Sequence, residues 1–359
     1  MNSPTFAMVT CAVGAETAVK ASALDEGWRL AFSRPGFVTL KHPSAGSPPS
    51  GIFIRTASQS IGSAKSTSLA NLMEQLISKL SNHPEAQRPF DQLHVWSRDR
   101  APIGRFGFEP GPDEVSTAVA SEVFPLFAKD WLNCDQPNRI AESGDRVLDL
   151  VLVEPAHWFL GWHRASDWHT RWPGGVQPIT PSIEPISRAY FKAAESITWS
   201  GFSMKAGDLA IEIGSAPGGA CGRLLELGLK VIGIDPAEMD SSIADHSNFE
   251  HIRARAGDLP RKQFQGAKWL LVDSNVVPEK TLTTIKNIVL HRSCTLEGLL
   301  VTLKIGNYQA AEKISEWQRE IESWSPSRVR IRQLTRNKVE VCFAISLPKQ
   351  GPRETKNRK

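Results

Sequence analysis

The stretch at residues 209–219 constrains the fold most. An apolar run, Leu209–Ile213, leads directly into Gly214, Ser215, Ala216, Pro217, Gly218 and Gly219, and a helix-like segment follows at 220–227. Glycines let a backbone approach a nucleotide closely and reach dihedral angles closed to other residues. Apolar runs recur at Lys230–Ile234, Trp269–Val272 and residues 299–303, separated by helix-length segments. That rhythm predicts βαβ units in an open, doubly wound, mostly parallel sheet. The ending differs: residues 329–334 and 339–346 alternate around Thr335, Arg336 and Asn337, which predicts an antiparallel hairpin closing the sheet. The C-terminal half is therefore expected to be α/β and Rossmann-like.

Asp235 ends the second run, 21 residues after Gly214. An acid at that place can accept both hydroxyls of an adenosine ribose. The dinucleotide pattern G-x-G-x-x-G is absent, and Pro217 stiffens a loop that lacks the usual spacing for a pyrophosphate on a helix N-terminus. A tight strand-to-helix turn without a ligand is the plain alternative. Four further residues sit at element ends: Lys192 on a helix-like stretch before the glycine loop, Asp273 after Trp269–Val272, Lys304 after residues 299–303, and Glu340 opening the last strand. Any one of them alone reads as a surface ion pair.

The loop resembles the D/E-x-G-x-x-P-G-G loop of FtsJ-type methyltransferases, with Glu212 in the acidic position. That resemblance implies S-adenosylmethionine as cofactor, held by Glu212, Gly214, Ser215, Ala216, Pro217, Gly218, Gly219, Asp235 and Asp273. It also assigns Asp258 the place from which class I methyltransferases accept the adenine amino group. Lys192, Asp273, Lys304 and Glu340 match the Lys-Asp-Lys-Glu tetrad of FtsJ-like ribose methyltransferases, which implies 2'-O-methylation of RNA. A ribose hydroxyl is a poor nucleophile, so its proton must be drawn off as the methyl group transfers in line. Lys304 is the candidate base, with Lys192 as the second cation and the two acids orienting both amines. The chain as a whole resembles the ribosomal RNA large subunit methyltransferase M family. This implies a THUMP-type RNA-binding region before the FtsJ-like domain, and a cytidine in large-subunit (23S) ribosomal RNA as substrate.

The first half mixes strand-like runs at 7–13, 36–41, 51–55, 93–96 and 146–153 with helix-like segments at 66–80 and 115–129, an α+β pattern. Composition shifts at 156–185, where four tryptophans, four prolines and two adjacent glycines interrupt any apolar period. The expected organisation is an α+β region at 1–160, a junction at 161–185, a methyltransferase domain at 186–348 and a basic flexible tail at 349–359. Two readings of the tryptophans stay open: base stacking beside Arg164 and Arg171, or interdomain packing. The spacing of His157, His163 and His169 suits no metal site. Arg328, Arg330 and Arg332 share one strand face, either a phosphate track or a solvated surface.

The formal net charge of +4 over 359 residues does not by itself decide between nucleic-acid binding and an ordinary surface. Five widely spaced cysteines argue against a disulfide framework or a zinc cluster, and no apolar run approaches a membrane span. With no secretory leader visible, the cytoplasm is the expected location. A small-molecule O-methyltransferase and a non-catalytic RNA-binding protein are the competing functions. The oligomeric state is not readable from the sequence.

Overall fold

The computed structural model describes residues 4–44, 46–166 and 168–348. It divides the chain into two units between Pro178 and Ile179. The basic tail expected at 349–359 lies outside the described residues.

The first unit is α+β. Its elements are β1 (Thr5–Thr10), α1 (Glu16–Asp25), β2 (Arg29–Arg34), β3 (Phe37–His42), β4 (Thr56–Lys65), α2 (Leu69–Ser81), β5 (Gln92–Ser97), α3 (Glu114–Trp131), β6 (Arg146–Glu154) and β7 (His157–Arg164). The strands form one sheet in the order β2-β3-β1-β4-β7-β6-β5, antiparallel except for the β5–β6 pair. Helix α2 buries Leu72, Met73, Leu76 and Leu80, the spacing of one helix face, and α3 buries Ala120, Val123 and Phe127. Both pack on Leu148, Leu150 and Leu152 of β6. Val151 and Val153 of the same strand join Met8, Phe37 and Phe159 in a second cluster, so β6 is apolar toward both faces of the sheet.

Three strands of this unit, β2, β4 and β7, escape the sequence pattern. Residues 51–55, expected as a strand, form a turn in which the Ile54 amide donates to the Gly51 carbonyl at 3.2 Å. Phe53 and Ile54 are apolar because that turn is buried. The strand follows at β4, whose small and polar residues lack any apolar alternation. Pairing on both sides with β1 and β7 makes it a strand. The tryptophan-rich stretch begins as β7, inside this sheet rather than in a junction. Trp158 is buried in the unit's own core with Trp162 packed against it, so these two indoles take part in the packing of their own unit.

The second unit contains α4 (Ala189–Ser200), β8 (Leu209–Ile213), α5 (Gly219–Glu226), β9 (Lys230–Ile234), α6 (Ser241–Ala244), β10 (Phe249–Ile252), β11 (Trp269–Val272), α7 (Pro278–Val289), β12 (Gly298–Lys304), α8 (Lys313–Glu322), β13 (Arg328–Arg332) and β14 (Glu340–Ser346). Its sheet runs β10-β9-β8-β11-β12-β14-β13, with five parallel strands followed by the antiparallel pair. This is a Rossmann-like, doubly wound arrangement, and the closing hairpin is the one the alternating runs predict. The order reverses at β8, between β9 and β11. Ligands of open α/β sheets bind at such a switch point, beyond the carboxyl ends of the strands. Among the described residues, no helix is long and apolar enough to cross a membrane.

Candidate active site

A cavity of about 570 Å³ opens at that switch point, walled by the strand ends Ile213, Ile234 and Val272 and the loops after them. Gly214, Ala216, Asp235, Asp258 and Asp273 of the expected cofactor set line it. Gly214 has φ +86°, and a Cβ there would fall 2.4 Å from the Asp273 carbonyl oxygen, so conformation and space both require glycine. At Gly219 a Cβ would fall 2.2 Å from the Ser187 hydroxyl, which explains the second requirement of the loop: close packing where α5 begins. Asp235 is fixed by its own surroundings, accepting from the Ala237 amide at 2.8 Å and, at a longer 3.4 Å, from the Ala216 amide. Asp258 lies exposed on the cavity wall, in a turn braced by the Arg261 guanidinium on the Gly257 carbonyl at 2.8 Å.

Glu212, Ser215, Pro217, Gly218 and Gly219 are not brought to that wall. Ser215 is buried beside the Met239 sulfur. Glu212 accepts from the Cys221 thiol at 2.8 Å and borders a second, small cavity of about 30 Å³ together with Lys192 and Asp273. Burial, reinforced by the charges of Asp273 and Asp235, pushes its carboxyl up to about 8. Near neutral pH Glu212 is therefore mostly a protonated acid inside the β8 end.

Of the four residues expected to act together, Lys192, Asp273 and Glu340 meet at the ends of β11 and β14, and Lys304 ends the neighbouring β12. The Lys192 ammonium donates to Asp273 at 2.6 Å and to Glu340 at 2.7 Å. Burial opposes its charge, but the two carboxylates outweigh that and hold Lys192 above the usual lysine range. Lys304 stands directly opposite Glu340 in the β12–β14 register and is exposed. Its amine donates to the side-chain oxygen of Asn275, a cavity-lining residue two positions after Asp273.

Sequence reasoning missed two contributors. Asn275 was legible only as a polar residue following a strand end. Glu195, fully buried on α4, accepts from the Thr335 amide at 2.7 Å, the Thr335 hydroxyl at 2.6 Å and the Arg336 amide at 3.0 Å, so it pins the turn that leads to Glu340. Asp208 has a structural part, holding Lys268 at 2.6 Å and the Trp269 indole at 3.1 Å. The arginine face of β13 is likewise partly internal: Arg330 donates to the Trp199 carbonyl at 2.6 Å, at the end of α4. His163 pairs with Asp149 at 2.5 Å, and among the described residues no cluster of metal-ligating side chains is found.

No protein-family model matches the chain. The chain is similar to ribosomal RNA large subunit methyltransferase M. It is 25% identical over 186 residues to the protein of that name from Aromatoleum aromaticum, covering 49% of this chain and 50% of that one. Against the protein from Azotobacter vinelandii the identity is 28% over 257 residues, covering 66% and 68%. The first of these matches spans about half the length of the relative. Among solved structures, TrmN from Thermus thermophilus aligns with 96% of this chain and 100% of its own at 13% identity and a TM-score of 0.35, too low to establish a common fold.

Proposed function

We propose that this chain transfers the methyl group of S-adenosylmethionine to a ribose 2'-hydroxyl of RNA, specifically a cytidine of large-subunit ribosomal RNA. In this reading residues 186–348 form the catalytic domain and residues 1–160 a THUMP-like RNA-binding region. The similarity to ribosomal RNA large subunit methyltransferase M supports the substrate class. The observation that carries the chemistry is the unequal environment of two lysines beside one nucleotide-sized cavity: Lys192 lies between two carboxylates, Lys304 against a neutral amide.

The cavity suits the cofactor by its size, by a glycine loop with no Cβ at its closest approach, and by an acid held ready for ribose hydroxyls. Asp235 would take the ribose and Asp258 the adenine amino group, while Glu212, Ser215, Pro217, Gly218 and Gly219 keep the loop in shape. S-adenosylmethionine supplies a methyl group on a positively charged sulfur, and the transfer needs no metal. Lys304 accepts the 2'-hydroxyl proton at its Nζ. The side-chain oxygen of Asn275 orients that amine. Lys192 keeps its proton, balances Asp273 and Glu340, and so holds the strand ends in register around the reacting oxygen.

Incubation with methyl-labelled cofactor and unmodified large-subunit ribosomal RNA, followed by mapping of ribose methylation, tests the reading. One labelled cytidine 2'-oxygen is expected. Label on a base, or on no RNA at all, would refute it.

A further inference from the structure

Phe106 is 91% exposed and adopts φ 53°, ψ 33°, a left-handed conformation that is costly for any residue bearing a Cβ. Single exposed apolar side chains are ordinary on a protein surface. This one is held out by its backbone. The loop is closed by Arg105 donating to the Pro102 carbonyl at 3.0 Å, Gly104 to the Phe108 carbonyl at 2.8 Å and Phe108 to the Arg105 carbonyl at 3.0 Å. Gly104 and Gly107 flank the ring with φ +75° and +74°, so the chain reverses without side-chain cost on either side.

The base of the loop is anchored. Asp99 is buried and accepts both guanidinium nitrogens of buried Arg55 at 2.7 Å, and Ile103 is buried beneath the turn. Arg98 ties the same segment to the Val153 carbonyl at 2.6 Å. An anchored loop with a strained tip presents one aromatic face in a fixed direction.

The surroundings of that face identify its occupant. The Arg105 guanidinium lies 5.0 Å from the centre of the Phe106 ring, and Arg100 is exposed in the same loop. A protein partner would call for further apolar area around the ring, whereas the exposed charges of this loop are the two cations Arg100 and Arg105 against the single acid Glu109. Flat π surface joined to negative charge is the chemistry of an unpaired nucleotide, whose base stacks on aromatic rings and whose phosphate meets arginine.

We propose that the loop around Phe106 is a stacking site for an unpaired RNA base, with Arg105 contacting the adjacent phosphate. The proposal rests on the RNA-methylation reading and assigns RNA contact to a named place on the first unit. A base paired in a helix cannot offer its face to the ring, so the site discriminates single strands and loops from duplex.

The test measures binding of the full chain to a single-stranded RNA oligonucleotide and to the matching duplex, using Phe106→Gly, Phe106→Trp and Arg105→Ala. Glycine removes the ring and the backbone strain together, so its melting temperature should equal or exceed that of the wild type. Phe106→Gly should bind the single strand about tenfold more weakly, the scale of one base–aromatic stack, with duplex binding unchanged and Phe106→Trp restoring affinity. Arg105→Ala should lower the salt dependence by about one phosphate contact. If the wild type methylates RNA and Phe106→Gly binds both RNAs as the wild type does, the site is wrong and the methylation reading stands. An equal loss for single strand and duplex also overturns it. If the wild type binds neither RNA, the site and that reading fail together.

Discussion

Lys192 and Lys304 carry the same side chain into different surroundings, and the difference separates their expected defects. Lys304→Ala should lower single-turnover methylation by about 100-fold or more, the scale of a lost general base, with cofactor affinity nearly unchanged. Lys304→Arg should fail as well, because a guanidinium does not release its proton at working pH. Lys192→Ala leaves Asp273 and Glu340 facing each other without a cation, so it should lower the melting temperature as well as the rate. Near-normal turnover in Lys304→Ala would remove the base and the main reason for choosing a hydroxyl target. Glu212 gives a pH-dependent test. Its carboxyl, ordinarily at 4.5, is raised to about 8 in the folded chain, so between those values the folded state holds a proton that the unfolded state has lost. Folding stability should therefore decline as pH rises from about 4.5 to about 8, by at most about 1.4 kcal/mol per pH unit from this group. Glu212→Gln should flatten that decline in urea melts taken across the range, and an unchanged slope would show that Glu212 is not the group responsible. The residue types at these places were legible in the sequence. Their pairing was not, because which lysine meets two carboxylates depends on α4 and β14, elements 148 positions apart at Lys192 and Glu340.

At the scale of elements, α4 does two things at once. Lys192 reaches Asp273 and Glu340, and Glu195, three residues on and near it on the helix surface, receives the turn between β13 and β14. One rigid helix thereby sets the distance between Lys192 and the strand that carries Glu340. Glu195→Ala would leave the Thr335 and Arg336 amides without their acceptor, a loss of roughly 1–3 kcal/mol for a buried group. The expected result is a lower melting temperature and a methylation rate that falls more than cofactor affinity does, read by calorimetry beside single-turnover assays. Equal losses in both would mean that the turn serves the whole unit rather than the placement of Glu340. Four of the five parallel strands were readable because buried strands are apolar along their whole length, whereas the edge strand β10 carries Glu250 and His251 and offers no such run. β4 was hidden because a strand of serine, alanine and glycine owes its place to neighbours on both sides, and β7 because its aromatic residues mimic an irregular junction.

On the scale of the whole chain, the cavity and the Lys192–Asp273–Glu340 cluster are built from residues after the division at Pro178 and Ile179. The first unit has its own apolar clusters and its own sheet. A cut near residue 160, where composition begins to change, would sever β7 in mid-strand and strip Trp162 from the core it packs against. A cut at 178/179 follows the structure instead. The fragment from residue 179 onward is expected to fold, to bind S-adenosylmethionine within a few-fold of the full chain by calorimetry, and to lose selective methylation of ribosomal RNA. The reason is area and charge: a single nucleotide in a catalytic pocket offers few contacts, whereas positioning on a large RNA draws on many phosphate contacts and on bases read elsewhere. The full chain should accordingly show RNA binding that weakens steeply with salt, and the fragment a shallower dependence. If the fragment methylates the same nucleotide as efficiently as the full chain, selection resides in the catalytic unit, and the first unit must serve some other purpose than choosing the RNA.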